Sequence, residues 1–291
     1  SMKSSDSRFS VRVPGNGAKK LVRDEKPCPR MSDHIGLLPV VLVSPSDGAL
    51  VSESGEERRK FLNQVLSQMD SEYLADVQQY NKLIFQRNAM LKNEAPDMSL
   101  MDIIEESLAY HGQRIFEKRK SFTEALSPVI GHYYSILSGG KEEVRAEYRS
   151  DLSSSSLQSL LEASRRKDQY LGYTTSGIQR DDIVFLMDGH PIRRDGSQGQ
   201  QKSFLVSLKF AQYELMKQES GVPPTLLLDD VFDKLDMDRT SNLLGLVAGS
   251  DFGQIFITDS NKVRLSGIVD GVTADRAYFT ASGGCFTMEE V

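Results

Sequence analysis

The sequence predicts an α/β fold in which a mixed helix-and-strand lobe is built from the two ends of the chain and a helical lobe is inserted between them. Three observations point there. From Glu56 to Lys92, and again from Ser99 to Leu137, apolar residues recur at helical spacing. The flanks instead carry runs of strand length, Leu37 to Val43, Thr225 to Leu228 and Gln254 to Thr258, with a helix-spaced segment from Phe204 to Met216 among them. Gly139-Gly140 closes the helical portion with residues suited to a helix stop. The chain divides accordingly into 1–43, 44–139 and 140–291.

Taken in order, Phe9 to Val13, Lys20 to Arg23 and Leu37 to Val43 read as strands. Gly15 to Lys20 is a basic Gly-Asn-Gly stretch of the kind that makes hairpin turns. The first helical run keeps Phe61, Val65, Met69, Val77, Tyr80, Ile84 and Leu91 on one stripe, with a break at Asp70-Ser71. The second buries Ile104, Leu108, Ile115, Phe122, Leu126, Ile130 and Tyr133, and Pro128 is expected to kink or interrupt it. Joined through Asn93 to Pro96, the two runs form either an antiparallel arm or a plain helical subdomain, which periodicity does not separate. Val144 to Tyr148 alternates as a strand, and Ser153 to Ser156 caps a short helix through Arg166. Ile183 to Met187 and His190 to Ile192 flank an Asp188-Gly189 turn as a hairpin.

Composition bounds the function classes. At 291 residues, 39% hydrophobic and 26% charged, the chain buries a sizeable core. A net charge of -6 argues against a wholly basic nucleic-acid grip and leaves local patches open. Cys28 and Cys285 are too few and too distant for a disulfide framework or zinc site, which fits a reducing cytosol. His34, His111, His132 and His190 show no ligand spacing, and no secretory signal or membrane-length apolar run is present, so a cytoplasmic protein is expected.

Two motifs carry chemistry. Thr225-Leu226-Leu227-Leu228-Asp229-Asp230 is a buried strand delivering two adjacent carboxylates to a sheet edge. There Asp229 would help hold a phosphate-bound Mg²⁺, and Asp230, one residue on, would orient or deprotonate an attacking water. Ser197-Gln198-Gly199-Gln200 opens a helix, where unpaired N–H groups and the helix dipole meet an anion, although such a Ser is also an ordinary N-cap. The same strand alone also reads as a core strand leaving through a polar turn. Both motifs in this order resemble the signature loop and metal-and-water strand of ABC-type ATPases. Asp233 to Asp236 follows as the polar turn which in such enzymes lies at the dimer interface.

Beyond these motifs the chain resembles the RecF family of bacterial recombination mediators, related to the SMC proteins, from about Ser10 to its end. Ile35 to Pro45, Glu56 to Leu62, Tyr80-Asn81 and Gln86 to Leu91 resemble that family's middle region. Gly177-Ile178-Gln179-Arg180-Asp181-Asp182 is similar to its Gly-Pro-His-Arg-Asp-Asp element; Ile178-Gln179 stand in place of Pro-His, so no role of that His carries over. The resemblance implies an ABC-type ATPase head with a helical second lobe, the arm being a short analogue of an SMC coiled coil. It implies ATP and Mg²⁺ as cofactors of the intact protein and a dimer joined head to tail by ATP. One protomer would supply the phosphate loop with Asp229 and Asp230, the other Ser197 and Gly199. It also implies DNA at single-strand to double-strand junctions, and recombination mediator proteins, as partners.

No Gly-x-x-x-x-Gly-Lys-Ser/Thr occurs in the 291 residues, and Gly15 to Lys20 lacks both the spacer and the hydroxyl. In the family that loop lies near the amino terminus, so the expectation is a chain without its first strand, phosphate loop and helix, unable to bind or hydrolyse ATP alone. The opening Ser1-Met2 resembles a remnant of tag removal. Asp259 follows Thr258 where many ABC enzymes have a histidine; an ionised acid cannot donate to a γ-phosphate, and it takes no catalytic role. Arg58, Arg59, Lys60, Arg87, Lys92, Arg114, Lys118, Arg119 and Lys120 fall on the arm; such clusters are commonly solvated faces, and under this resemblance they are the first candidates for DNA phosphates. The alternative function is a non-enzymatic DNA or protein interaction module with a silent head.

Overall fold

The amino end forms an antiparallel meander, β1 (Phe9–Arg12), β2 (Lys20–Arg23) and β3 (Lys26–Pro27). The structure, a computed structural model, describes residues 8–15, 20–28, 34–93, 97–232, 235–247, 249, 252–260, 267, 269–271, 273 and 275–289. The turn expected at 16–19, the 94–96 connection and Asp233-Lys234 lie outside them. The strand expected from Leu37 is shorter, β4 (Val40–Val43). Gly36 turns just before it at φ +87°, where a Cβ would sit 2.3 Å from the Gln68 carbonyl oxygen, so only glycine fits.

The helical lobe comprises α1 (Ala49–Ser52), α2 (Gly55–Met69), α3 (Ser71–Leu91) and α4 (Met98–Ser138). Asp70 makes the expected break: it ends α2 and caps α3, its Oδ1 accepting from the N–H groups of Glu72 (2.8 Å) and Tyr73 (3.2 Å). Pro128 does not interrupt α4, which runs 41 residues through it, about 60 Å at 1.5 Å per residue. A proline removes one helical donor, and the flanking turns are fixed by Leu126 and Ile130, both fully buried. Gly139 and Gly140, each at φ +72°, then stop the helix.

Beyond the stop come β5 (Val144–Arg149), α5 (Leu157–Leu171), β6 (Asp182–Met187), β7 (His190–Pro191) and α6 (Ile192–Asp195). Val144 and Ala146 face inward as the alternation predicts. Ser156 caps α5, which extends past Arg166 to a left-handed Gly172. Asp188 (φ +49°) and Gly189 (φ +82°) make the two-residue turn between β6 and β7. Next follow α7 (Gln198–Ser220), β8 (Thr225–Asp229), α8 (Met237–Val247), β9 (Ile255–Thr258) and a final hairpin of β10 (Phe279–Ser282) with β11 (Cys285–Met288).

A parallel sheet in the order β4-β8-β9 positions the candidate site. One of its faces buries Val41, Val43, Leu226 and Leu228, in a core shared with Phe204, Leu208, Ala211 and Tyr133 of α7 and α4. Two buried charge clusters fasten the helices. Arg87, fully buried, binds Glu105 (2.8 Å), Asp168 (2.7 Å) and Thr174 (2.9 Å), tying α3 to α4 and α5. Arg119 bonds Tyr73 (3.0 Å), the Ile178 carbonyl (2.9 Å), Asn63 (3.0 Å) and Asp181 (3.3 Å). Beside it Arg58 grips Asp182 with two N–H groups, at 2.7 and 2.9 Å. The Gly177 to Asp182 element is therefore a clamp joining α2 and α4 to β6.

Candidate nucleotide site

Three parallel strands end together, and the carboxyl ends of such strands are where open α/β sheets bind ligands. Register sets Asp229 opposite Thr258, whose hydroxyl donates to the Asp229 carboxylate. Asp229 is exposed at the rim while Leu228 before it is buried, the result of a strand whose apolar run ends one residue earlier.

Asp230 leaves the strand with φ +51°, in the left-handed region that non-glycine residues seldom occupy and where Asp and Asn are enriched. Two hydrogen bonds hold it there: its N–H donates to the Thr258 carbonyl (3.1 Å), and its own carbonyl accepts from Lys202 Nζ (3.1 Å). Strain over-determined by its surroundings gathers at functional positions.

At the head of α7, Ser197 Oγ accepts from the Gln200 N–H (3.3 Å) and Gln200 Oε1 accepts from the Ser197 N–H (2.7 Å), a reciprocal capping box. Gln200 Nε2 also donates to Glu142 (2.8 Å). Ser197 and Gln198 are exposed, Gly199 and Gln200 half-buried. The ordinary capping role and an exposed anion-facing helix start thus coexist. No hydrogen bond among the described residues joins Ser197 to Asp229 or Asp230; Lys202, on the next turn of α7, makes the link instead.

The donor set suits Mg²⁺ held jointly with nucleotide phosphates, since that ion takes one or two carboxylates and keeps other oxygens in its octahedron. Among the described residues no group of three His, Cys, Asp or Glu could enclose a metal by itself. Thr258, Lys202 and Glu142 went unassigned in the sequence. Thr258 is found only through sheet register, and Glu142 is 58 residues from its partner Gln200.

The basic residues of the arm separate into two groups. Arg58 and Arg119, expected at DNA phosphates, are instead buried with four hydrogen bonds each into the protein interior, where their donors hold the clamp. Arg87 is likewise internal. Arg59 donates to the Asp181 carbonyl (2.8 Å). Lys60 pairs with Glu56 and Glu57, Arg114 with Glu72 and Asp76, Lys118 with Asp70 and Lys120 with Glu124, at the lobe's surface.

The parallel sheet with its helical lobe has the fold of an SMC head: one bound to the C-winged helix domain of ScpA shares it at TM-score 0.52, 12% identity, over 96% of this chain and 66% of that one. Structures of the recombination mediator protein RecF with ATP in the RecFOR pathway align at TM-score 0.83 and 26% identity, over 98% of this chain and 76% of theirs. The DNA replication and repair protein RecF of Parabacteroides distasonis is 43% identical over 91% of this chain and 73% of its own length, and that of Flavobacterium johnsoniae 46% identical over 87% and 72%. No family model matches. The chain belongs to the RecF family.

Proposed function

We propose that this protein acts in DNA replication and repair as a RecF-type ATPase. It binds gapped DNA at single-strand to double-strand junctions as an ATP-dependent dimer and supports recombinase loading with recombination mediator partners. The observation that carries the reading is the pair Asp229 and Asp230 at the end of the central parallel strand, the second in a held left-handed turn.

When bound, Mg²⁺ with ATP supplies positive charge against the phosphates during transfer. Asp229 offers one carboxylate ligand, oriented by the Thr258 hydroxyl. Asp230 accepts a proton from the attacking water, or orients it, and Lys202 fixes the turn that aims it. Ser197 and Gly199 at the head of α7 face the nucleotide of the partner subunit, with Gln198 and Gln200 shaping that loop. In this arrangement Ser197 and Asp230 of one protomer serve different ATP sites. Hydrolysis releases the clamp from DNA. On the lobe, Lys60, Lys118 and Lys120 sit in surface pairs of small worth and can exchange their acids for phosphate, while Arg114, held by the buried Asp76, and Arg59 offer their remaining donors.

No Gly-x-x-x-x-Gly-Lys-Ser/Thr loop occurs in the 291 residues, and our reading is that this chain alone does not bind ATP. Calorimetric titration with MgATP is expected to show no binding here and binding once an amino-terminal phosphate-loop segment of the family is joined to it. In that joined form Asp230→Asn retains ATP and loses turnover by about a hundredfold or more. Equal turnover in both forms would sink the assignment of Asp230, and no turnover in either would leave a scaffold rather than an enzyme.

A further inference from the structure

Several of the arm's cations are matched; some at its end and beyond it are not. Lys92, at the end of α3, and Arg166 and Lys167, on α5, are exposed, and none of their side-chain nitrogens has a partner among the described residues. Lys92 reaches the end of the helix that carries the other two. The Lys92 Cγ lies 3.5 Å from where a Cβ of Gly172 would be, at the end of α5, and Thr174 just beyond is bonded to Asn88 of α3 at 2.7 Å. Of the acids nearby, Asp168 is taken by Arg87 and Asp102 and Glu105 by Arg165, which leaves the three cations facing Glu162, four residues before Arg166 on α5 and accepting from Gln158 (3.2 Å). The local charge is therefore positive on a chain whose total is -6.

Two aromatic rings stand among these cations. Tyr170 is 90% exposed and Tyr173 48% exposed. Tyr170 lies one helical turn from Arg166 and Lys167, so it shares their face of α5. A ring as exposed as that of Tyr170 keeps its apolar hydration and contributes little to this fold. Cations that grip phosphates beside rings that receive bases are the two parts of a sequence-tolerant single-strand site. A duplex satisfies the cations but keeps its bases stacked inside, away from the tyrosines.

We infer that Lys92, Arg166 and Lys167, with Tyr170 and Tyr173, form a contact surface for single-stranded DNA at the junction of α3 and α5. The inference rests on the DNA-repair reading above and names a face for it outside the nucleotide site.

The test is fluorescence anisotropy of a labelled 20-nucleotide oligothymidine, and of a duplex of the same length, on the 291-residue chain at several salt concentrations. Arg166→Glu with Lys167→Glu is expected to weaken oligothymidine binding about tenfold or more and to lower the salt slope by about one to two. Tyr170→Ala weakens it about fivefold or more with the slope unchanged, and Tyr170→Phe restores it. These side chains are at the surface, so matching melting temperatures keep the comparison fair. Failure of the unaltered chain to bind overturns the inference. So does a duplex preference abolished by the charge reversals and indifferent to Tyr170→Ala. Binding undiminished in every variant removes this face and leaves the RecF-type ATPase reading standing, since that reading is tested separately by MgATP binding and turnover of the joined form.

Discussion

Asp70 shows how much one side chain can settle. It ends α2, starts α3 and pairs with Lys118 Nζ at 2.8 Å. Burial opposes its ionisation, but Lys118 and the N–H groups of Tyr73 and Glu72 outweigh that and hold its carboxyl below the usual range. A lowered folded-state pKa gives stability that is fully present above the unfolded value, about 3.9, and is lost as pH falls through the folded one. Asp70→Ala is expected to cost about 1 kcal/mol at neutral pH and to flatten the acid limb of the stability curve below about pH 4. Urea titrations at pH 7, 4 and 3 check this; parallel losses in both proteins would show that Asp70 does not titrate with folding. Legibility at this scale was uneven. The break at Asp70 and the strand-end position of the candidate pair Asp229 and Asp230 could be read locally, because helix ends and strand ends are written in neighbouring residues. The left-handed Asp230 could not, since Thr258 and Lys202 impose it from other elements.

Between elements the decisive contact is Gly112, in the middle of α4. A Cβ there would stand 2.4 Å from Leu157 Cδ2 of α5 and 3.1 Å from a ring carbon of Tyr80 of α3. Alanine in a helix interior gains roughly 0.5–1 kcal/mol over glycine, whereas overpacking a tight core costs about 1–3 kcal/mol. Crowding wins by that comparison, because Leu157 and Tyr80 are each 1% exposed and have little room to move. Gly112→Ala should therefore lower the urea midpoint. A raised midpoint would mean that Leu157 swings aside at no cost. Helical periodicity found α2 to α5 but gave no hint that α5 packs against both long helices of the arm. Similarly, it placed basic residues on the arm without separating Lys60, which is solvated, from Arg119, which is interior.

For the whole molecule, the clamp at Asp181 and Asp182 makes lobe and sheet depend on each other. Asp181 is buried; burial raises its pKa, and hydrogen bonds from Ser150, Tyr148 and Arg119 oppose the rise. Removing one member of a buried pair leaves the other charge uncompensated, at about 3–5 kcal/mol. Asp181→Ala with Asp182→Ala is expected to strand Arg119 and Arg58 and to loosen α2 and α4 against β6. Amide exchange should then quicken in α2 and the adjoining turns of α4 while β8 keeps its protection. Uniform acceleration would show instead that the clamp supports global stability rather than this joint. None of the helices among the described residues is long and apolar enough to cross a membrane.

By itself the sequence determined the element types, the helix stops at Asp70 and Gly139, and the candidate chemistry at Ser197, Gly199, Asp229 and Asp230. All of these depend on spacing within a few residues, where backbone geometry converts pattern directly into structure. Tertiary structure alone decided which cations are spent inside the protein, which remain in water beside exposed tyrosines, and how Asp230 is turned. Burial and charge pairing are properties of what lies across the gap from a side chain. For Arg119 that neighbour is Asp181, 62 residues away, and for Asp230 it is Lys202, 28 residues away.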